Sequence, residues 1–216
     1  MGFWIFRMKN IFVAGCSHVS GHGFEDCIDR RSHSKHAWPA KIIRDFHYNV
    51  INFSCGGISP IYSTEKLQNY KEKNKLDAIM VLLSYRHRYI YNYVENEENV
   101  DHHYYAGNFP NNRFGILLKS YYKYCHSDKT DLINFVSYAG YFHYISKEYN
   151  IPLWISTVDQ KDFNLLKEHN INLTSEFSWN EFCNNHNFPR LPDMHFGHKA
   201  HEAFYQRYIK PWIQKL

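Results

Sequence analysis

Short apolar runs alternate along the chain with segments of helical periodicity. Four of the runs are nearly continuous in apolar residues and are bounded by turn residues, which is typical of strands buried in a parallel sheet. They lie at residues 11–14, 48–55, 77–85 and 151–158, and a fifth, shorter strand is predicted at residues 171–174.

The segments between these runs repeat their apolar residues every three or four positions, as on the buried face of a helix. In "HAWPAKIIRDF" the repeat is carried by Trp38, Ile42 and Phe46, and Pro39 suits a first helical turn. Further helices are predicted at residues 59–74, 128–150, 163–170 and 197–215, the last bent or ended near Pro211. Strands that alternate with helices predict an α/β fold, a three-layer sandwich around a mostly parallel five-stranded sheet.

Length, charge and cysteine content narrow the class of protein. A chain of 216 residues fits one domain, and we expect residues 1–216 to form it. The net charge of +4 is spread along the chain without a basic stripe or a known module, which argues against nucleic-acid binding. Five cysteines without CxxC spacing, no convincing signal peptide and no apolar run of about 20 residues predict a cytoplasmic protein without a membrane span.

A small, reactive cluster ends the first predicted strand. Gly15-Cys16-Ser17-His18 follows directly on the apolar run, at the edge where parallel α/β sheets bind ligands. A serine in this place caps the following helix, contacts phosphate through a glycine-rich turn, or acts as a nucleophile. The phosphate interpretation is weak, because the chain has neither a Walker A nor a dinucleotide-binding glycine motif.

The end of the chain contains the partners that a nucleophilic serine needs. In "LPDMHFGHKAHEAF", Asp193 stands two residues before His195, just ahead of the last predicted helix. Acyl transfer requires a base to take the serine proton and a carboxylate to orient the imidazole. The alternative is that Asp193 caps the last helix and His195 lies on the surface.

Three blocks together resemble the SGNH (GDSL-like) hydrolases. "FVAGCSHVSGHG", "NFSCGGIS" and "DMHF" are similar to the first, second and fifth sequence blocks of that family, and they occur in the family's order. The resemblance covers the whole chain and implies a flavodoxin-like SGNH hydrolase fold.

The resemblance implies a role for each matching residue. Ser17 is implied as the nucleophile, His195 as the general base and Asp193 as the residue that orients it. The backbone N–H groups of Ser17 and Gly57 are implied as oxyanion donors, with Gly56 as the neighbour that could replace Gly57. Glycine suits this position, because a backbone N–H approaches an oxyanion closely only where no side chain intervenes.

One block departs from the family pattern. The family usually places an asparagine after the third strand as a further oxyanion donor, but the run "VLLSYRHRY" has no asparagine before Asn92. Ser84, Arg86 or Arg88 could substitute, and Arg88 could instead bind an anionic group of the substrate. The alternative is that both arginines are solvated loop charges.

The remaining histidines do not predict a metal site. His195, His198 and His201 are three residues apart, but no HExxH or paired-cysteine pattern accompanies them. We therefore expect no metal and no cofactor. His201 is expected to pack on the last helix, and His18 either lines the pocket or faces solvent.

An aromatic-rich insertion is predicted at about residues 86–126. Flat rings with hydroxyl groups suit stacking against sugars, although the same rings could simply pack the insertion onto the domain. The aromatic residues of this region are Tyr85, Tyr89, Tyr91, Tyr93, Tyr104, Tyr105, Phe109, Tyr121, Tyr122 and Tyr124. The sequence therefore predicts a serine esterase or deacylase acting on short acyl esters, acetyl foremost, of a saccharide or other small molecule. The alternatives are an SGNH-fold carbohydrate-binding module with impaired catalysis and an O-acyltransferase that uses the same serine.

Overall fold

The computed structural model describes residues 8–29, 31–95, 98–105 and 127–216, with the separate positions 116, 119, 120 and 123. In residues 89–105 the description is restricted to the backbone. Residues 106–115, 117, 118, 121, 122 and 124–126 of the predicted insertion, with the aromatic residues among them, lie outside the described residues.

A central sheet is formed by four parallel strands in the order β2-β1-β3-β6. Val13 of β1 stands opposite Asn52 of β2 and Met80 of β3. The described strands are β1 Asn10–Gly15, β2 Asn49–Asn52, β3 Ala78–Leu83, β4 Arg88–Glu95, β5 Glu98–Tyr105 and β6 Leu153–Thr157. The four long apolar runs therefore form the sheet, as predicted.

The fifth strand predicted at residues 171–174 is a loop beside β6. The Thr174 amide donates one backbone hydrogen bond to the Ile155 carbonyl, at 2.9 Å. The Ile155 amide, however, donates to the Thr174 side-chain oxygen, at 3.0 Å. Because this hydroxyl occupies the place of a strand carbonyl, the ladder does not continue past the contact.

Helices cover both faces of the sheet. They are α1 Ser17–Ser20, α2 Trp38–Phe46, α3 Pro60–Asn69, α4 Asp128–Glu148, α5 Gln160–Glu168, α6 Trp179–Asn185, α7 His198–Phe204 and α8 Lys210–Ile213. A single π-helical turn, Tyr205–Ile209, joins α7 to α8 directly before Pro211. Because proline has no N–H to continue the hydrogen-bond ladder, the long helix predicted here is interrupted.

Side chains of the four parallel strands alternate between two separate cores. In β1, Ile11 and Val13 pack with residues of α2, α6 and α7, whereas Phe12 and Ala14 pack with residues of α3, α4 and α5. This alternation produces the three layers predicted from the sequence.

The first part of the predicted insertion contains two strands. β4 and β5 pair there as an antiparallel hairpin, from Arg88 opposite Tyr105 to Glu95 opposite Glu98. None of the helices in the described ranges has both the length and the apolar character that a membrane span requires.

Candidate active site

Ser17 begins a one-turn helix immediately after β1. Its carbonyl accepts hydrogen bonds from the Gly21 amide at 3.0 Å and the His22 amide at 3.1 Å, and from the Ser20 hydroxyl at 3.3 Å. These bonds fix the turn that carries the serine. No hydrogen bond from the Ser17 amide itself occurs among the residues that the structure describes.

The turn after the neighbouring strand β2 contains Gly56 and Gly57. Gly57 has a φ of 80°, in the left-handed region that favours glycine, and the position of an added Cβ is open. Its amide, too, donates to no described residue. Two backbone N–H groups therefore remain available at adjacent strand ends.

Ser84 supports this turn from the end of β3. Its hydroxyl, which is buried, donates to the Ile58 carbonyl at 2.7 Å. Because a serine has one hydroxyl hydrogen, this bond leaves Ser84 without a proton for a substrate oxyanion. In this arrangement Ser84 positions the glycine turn.

Asp193 and His195 lie in a tight loop ahead of α7. The loop is closed by a hydrogen bond of 2.7 Å from the Leu191 amide to the His195 carbonyl. Nδ1 of His195 is 3.0 Å from Oδ2 of Asp193, and the His195 amide donates to Oδ1 at 3.2 Å. The ring N–H is not aligned with the carboxylate as in a straight hydrogen bond, so the two side chains are in close polar contact.

Gly23 makes room for the Asp193 carboxylate. A Cβ at this position would stand 2.2 Å from Oδ2 of Asp193, and the φ of Gly23 is 93°. Any side chain here would therefore push the carboxylate away from His195 and strain the backbone.

The His195 ring lies beside the turn that carries Ser17. Its centroid is 5.0 Å from the ring of His18 and 5.6 Å from the ring of His22. Burial lowers the pKa of His195, while the Asp193 carboxylate opposes that effect. A neutral imidazole next to a serine is the form that accepts a proton.

No protein-family model matches the sequence, and no curated protein matches it either. Solved structures match it over nearly their whole length. One is TesA, with 10% identity, a TM-score of 0.54 and coverage of 96% of this chain and 99% of the other. Another is the psychrotrophic esterase EstA from Pseudoalteromonas sp., in a structure inhibited by monoethylphosphonate, with 13% identity, a TM-score of 0.52 and coverage of 95% and 99%. A third is the acetyl xylan esterase AlAXEase, with 13% identity, a TM-score of 0.51 and coverage of 94% and 99%.

The chain has the SGNH hydrolase fold. Within this SGNH fold, Ser17, Gly57 and the Asp193–His195 loop lie at the carboxyl edge of the sheet, where parallel α/β sheets bind ligands.

Two buried histidines lie against Trp179 beside the candidate active site. His18 is 5% exposed, and burial, with the nearby His195, holds its pKa well below the ordinary value. His201 accepts a hydrogen bond from the Trp38 amide at Nδ1, 3.4 Å away, and burial lowers its pKa to about 3. The Trp179 ring lies 6.0 Å from His18 and 4.7 Å from His201. Both histidines are therefore neutral at pH 7.

The two arginines considered as substitutes for the family asparagine differ in their contacts. Arg86 is engaged with Asp162, to which its amide donates at 3.1 Å and its Nε lies at 3.6 Å. Arg88 stacks on the Tyr85 ring at 4.7 Å, and its Nη1 is buried without a hydrogen-bond partner in the described chain. Its positive charge contributes to the lowered pKa of both His18 and His195. Arg88 therefore lies near both histidines with one guanidinium N–H group that has no partner among the described residues.

Sequence reasoning missed Gly23 and Trp179. A usable signal existed for Trp179, because Ser178 and Glu181 have the spacing of a capping box at the start of α6. The Ser178 hydroxyl accepts a hydrogen bond from the Glu181 amide at 3.2 Å. For Gly23 no local signal exists, since its neighbour Asp193 is far away in sequence.

Proposed function

We propose that the protein is a serine hydrolase that cleaves short acyl esters. The observation that carries the proposal is the contact of 3.0 Å between His195 and Asp193, beside the turn that holds Ser17. The similarity in fold to EstA and AlAXEase, both named as esterases, supports the same reaction class.

Ser17 acts as the nucleophile in the first half of the proposed reaction. Its Oγ attacks the ester carbonyl carbon while Nε2 of His195 accepts the hydroxyl proton, and the carbonyl electron pair moves onto oxygen. That oxyanion accepts hydrogen bonds from the Ser17 and Gly57 amides. The bond to the alcohol then breaks, the alcohol leaves with the proton from His195, and the acyl group stays on Ser17.

Water completes the cycle. His195 takes a proton from the water as its oxygen attacks the acyl carbon, and it returns that proton to Oγ of Ser17 when the carboxylic acid leaves. Asp193 holds the tautomer with the proton on Nδ1 and stabilises the imidazolium that forms in both halves. No cofactor takes part in these steps.

Arg88 takes the place of the absent asparagine in this proposal. Its unpaired, buried Nη1 donates to the oxyanion or to an anionic group next to the ester. Loss of one oxyanion donor lowers the rate by about 10²–10³-fold in a tested hydrolase. We expect Arg88→Gln to fall within this range if the oxyanion is its target.

Acetyl groups on a saccharide are the proposed substrate. The proposal is supported by the similarity to AlAXEase, which is named as an acetyl xylan esterase, and by the aromatic composition of residues 86–126. We expect kcat/KM for a nitrophenyl acetate to exceed that for the octanoate by at least about tenfold. A second assay measures by chromatography the acetate released from an acetylated oligosaccharide. It tests whether the acetyl group is carried by a saccharide.

Labelling with a fluorophosphonate tests the nucleophile. Oγ of an activated serine displaces fluoride from phosphorus and forms a stable phosphonate ester, so each labelled protein gains one adduct in its intact mass. We expect one adduct, mapped by peptide mass spectrometry to Ser17 and absent from Ser17→Ala. Ser137→Ala is a matched control, because Ser137 is exposed and bonds only the carbonyl of Ile133 in its own helix.

The labelling result also separates the alternatives. A folded wild-type protein that gains no adduct would overturn the hydrolase proposal in favour of a binding module. An adduct that persists in Ser17→Ala would overturn the assignment of Ser17.

A further inference from the structure

A group of side chains that could bind a metal ion lies outside the candidate active site. Glu25, His36 and His198 come from three separate segments, and one ligand atom from each lies within 4.8 Å of the other two. Nε2 of His36 is 3.8 Å from Oε1 of Glu25, and Nε2 of His198 is 3.4 Å from Oε2. The two imidazole rings stack at 4.4 Å with an angle of 17° between them. Both rings therefore present Nε2 to the same carboxylate.

The backbones that carry these side chains are fixed by other contacts. The Lys35 amide donates to Oδ2 of Asp26 at 2.9 Å, which ties the segment of His36 to the segment of Glu25. The Ser34 amide donates to the Ser20 carbonyl at 2.8 Å. His198 is the first residue of α7, and the edge-on ring of Phe24 contacts it at 4.2 Å. The backbone positions of the three residues are therefore fixed, while their partly exposed side chains can still rotate.

We propose that Glu25, His36 and His198 bind a divalent zinc ion. Two imidazoles and one carboxylate form a known ligand set of Zn²⁺, with water in the fourth position. Mg²⁺ and Ca²⁺ prefer ligand sets made of oxygen alone, so the two imidazoles disfavour them. This zinc site is separate from the candidate active site around Ser17, and the zinc ion takes part in no step of the proposed hydrolysis.

The observed spacing is close to the spacing that zinc requires. Bonds of about 2.0–2.2 Å in a tetrahedral arrangement separate the ligand atoms by about 3.3–3.5 Å. Nε2 of His198, at 3.4 Å from Oε2 of Glu25, already has that spacing, while Nε2 of His36 is 3.8 Å from the other oxygen, Oε1. Because all three side chains are partly or fully exposed, small rotations bring the two Nε2 atoms together without moving the backbone.

A zinc ion here would join two segments that flank the Asp193–His195 loop. Glu25 follows the Gly23 contact with Asp193 by two residues, and His198 begins the helix that follows His195. A ligand that binds only the folded state stabilises it by mass action. Zinc is therefore expected to raise the melting temperature of the protein.

Metal titration of the full chain tests the proposal. Protein without a histidine-containing tag, stripped with EDTA and dialysed, is titrated with Zn²⁺ by calorimetry and with Co²⁺ by visible absorption. We expect one equivalent of Zn²⁺ to bind, a rise in melting temperature, and Co²⁺ absorption bands typical of low coordination number. His36→Gln and Glu25→Gln should each weaken binding at least about tenfold, because even second-shell changes cost about 10–100-fold.

His169→Gln is the matched control, because His169 is an exposed histidine outside the cluster. It should bind zinc like the wild type. Unchanged binding in both His36→Gln and Glu25→Gln, with circular dichroism showing folded variants, would overturn the proposal. So would the absence of saturable binding by the wild type. Because these readouts do not involve Ser17, failure of the zinc site leaves the esterase proposal intact, and the reverse also holds.

Discussion

The Phe24 ring contacts one histidine from each of two groups. The ring centroid is 4.2 Å from His198 in the exposed group and 5.0 Å from His201 in the buried group. In the buried group, which includes His18 and His195, desolvation lowers the pKa of each imidazole. In the exposed group, His36 and His198 share the carboxylate of Glu25 in contact with solvent.

The comparison shows that burial, more than spacing in sequence, decides the chemistry of these rings. His195, His198 and His201 are separated by three residues each, yet they lie in three different environments. One contacts Asp193, one faces Glu25, and one accepts a hydrogen bond from the Trp38 amide in the core. These contacts connect the three rings to three different partners. The cluster around Glu25 combines His198 with residues from earlier in the chain.

The largest expected effect is the loss of hydrolysis when His195, in the buried group, is replaced. We expect His195→Ala to lower kcat/KM for a short acyl ester by at least about 10⁴-fold, because nucleophile and base act as a unit. His169→Gln, at an exposed histidine of neither group, should retain wild-type rates. Steady-state kinetics with nitrophenyl acetate make the measurement. A fully active His195→Ala variant would move the base elsewhere, with His198 as the next candidate.

Gly23→Ala tests whether the buried group depends on the position of Asp193. The added Cβ would meet the carboxylate at 2.2 Å, so Asp193 must move away from His195. A displacement of about 1 Å costs about 10²-fold in rate, and we expect kcat to fall by that order.

Gly140→Ala is the control for that variant. Gly140 lies within α4 and has open space at the Cβ position, so the change should leave kcat unaltered. Wild-type kcat in folded Gly23→Ala would contradict the role given to Asp193.

His201→Leu sharpens the comparison through stability. The variant removes the acceptor of the Trp38 amide, and a buried donor without a partner costs about 1–3 kcal/mol in free energy of unfolding. In the presence of EDTA, His198→Gln on the exposed side should change that free energy by less than about 0.5 kcal/mol. Urea denaturation followed by tryptophan fluorescence gives both values. Equal losses in the two variants would show that burial does not distinguish the two groups.

The pH dependence of hydrolysis gives the smallest expected effect. Neutral His195 is the active form, and burial lowers its pKa, so activity is lost only as the pH falls through that lowered value. The acid limb of kcat/KM should therefore have its midpoint below about 6.5, the ordinary value for imidazole. Asp193→Asn removes the carboxylate that favours the protonated ring, so its residual activity should show a midpoint at still lower pH. A wild-type midpoint above the ordinary value would contradict the desolvation of His195.

The sequence predicts the sheet and the three proposed catalytic residues because their signals are local. β1, β3 and β6 each contain three or more consecutive apolar residues, and Ser17 and the Asp193–His195 pair stand beside predicted element ends. The sequence does not predict the hairpin, although Tyr89, Tyr91 and Tyr93 alternate with the period of a strand, because aromatic, apolar and polar residues are mixed throughout this part of the chain. Helix α6 has seven residues, too few to establish a period.

The contacts that complete the two histidine groups were beyond local reasoning. Gly23 meets Asp193, and Glu25 meets His198, across most of the length of the chain. These residues meet only when the loop after α1 folds against the Asp193–His195 loop and the start of α7. The spacing of residues in the sequence does not indicate such contacts. The burial of a strand, in contrast, is visible in the local alternation of its apolar residues.

The loop at residues 171–174 also protects the protein from association through its sheet. An edge strand with unpaired amide and carbonyl groups attracts strands of other molecules and promotes aggregation. At Ile155 of β6 both groups are already bonded to Thr174. The opposite edge, β2, offers only the four residues Asn49–Asn52. The contact between Ile155 and Thr174 ends the sheet at β6. The same contact also hinders a strand of a second molecule from pairing with β6 at this point.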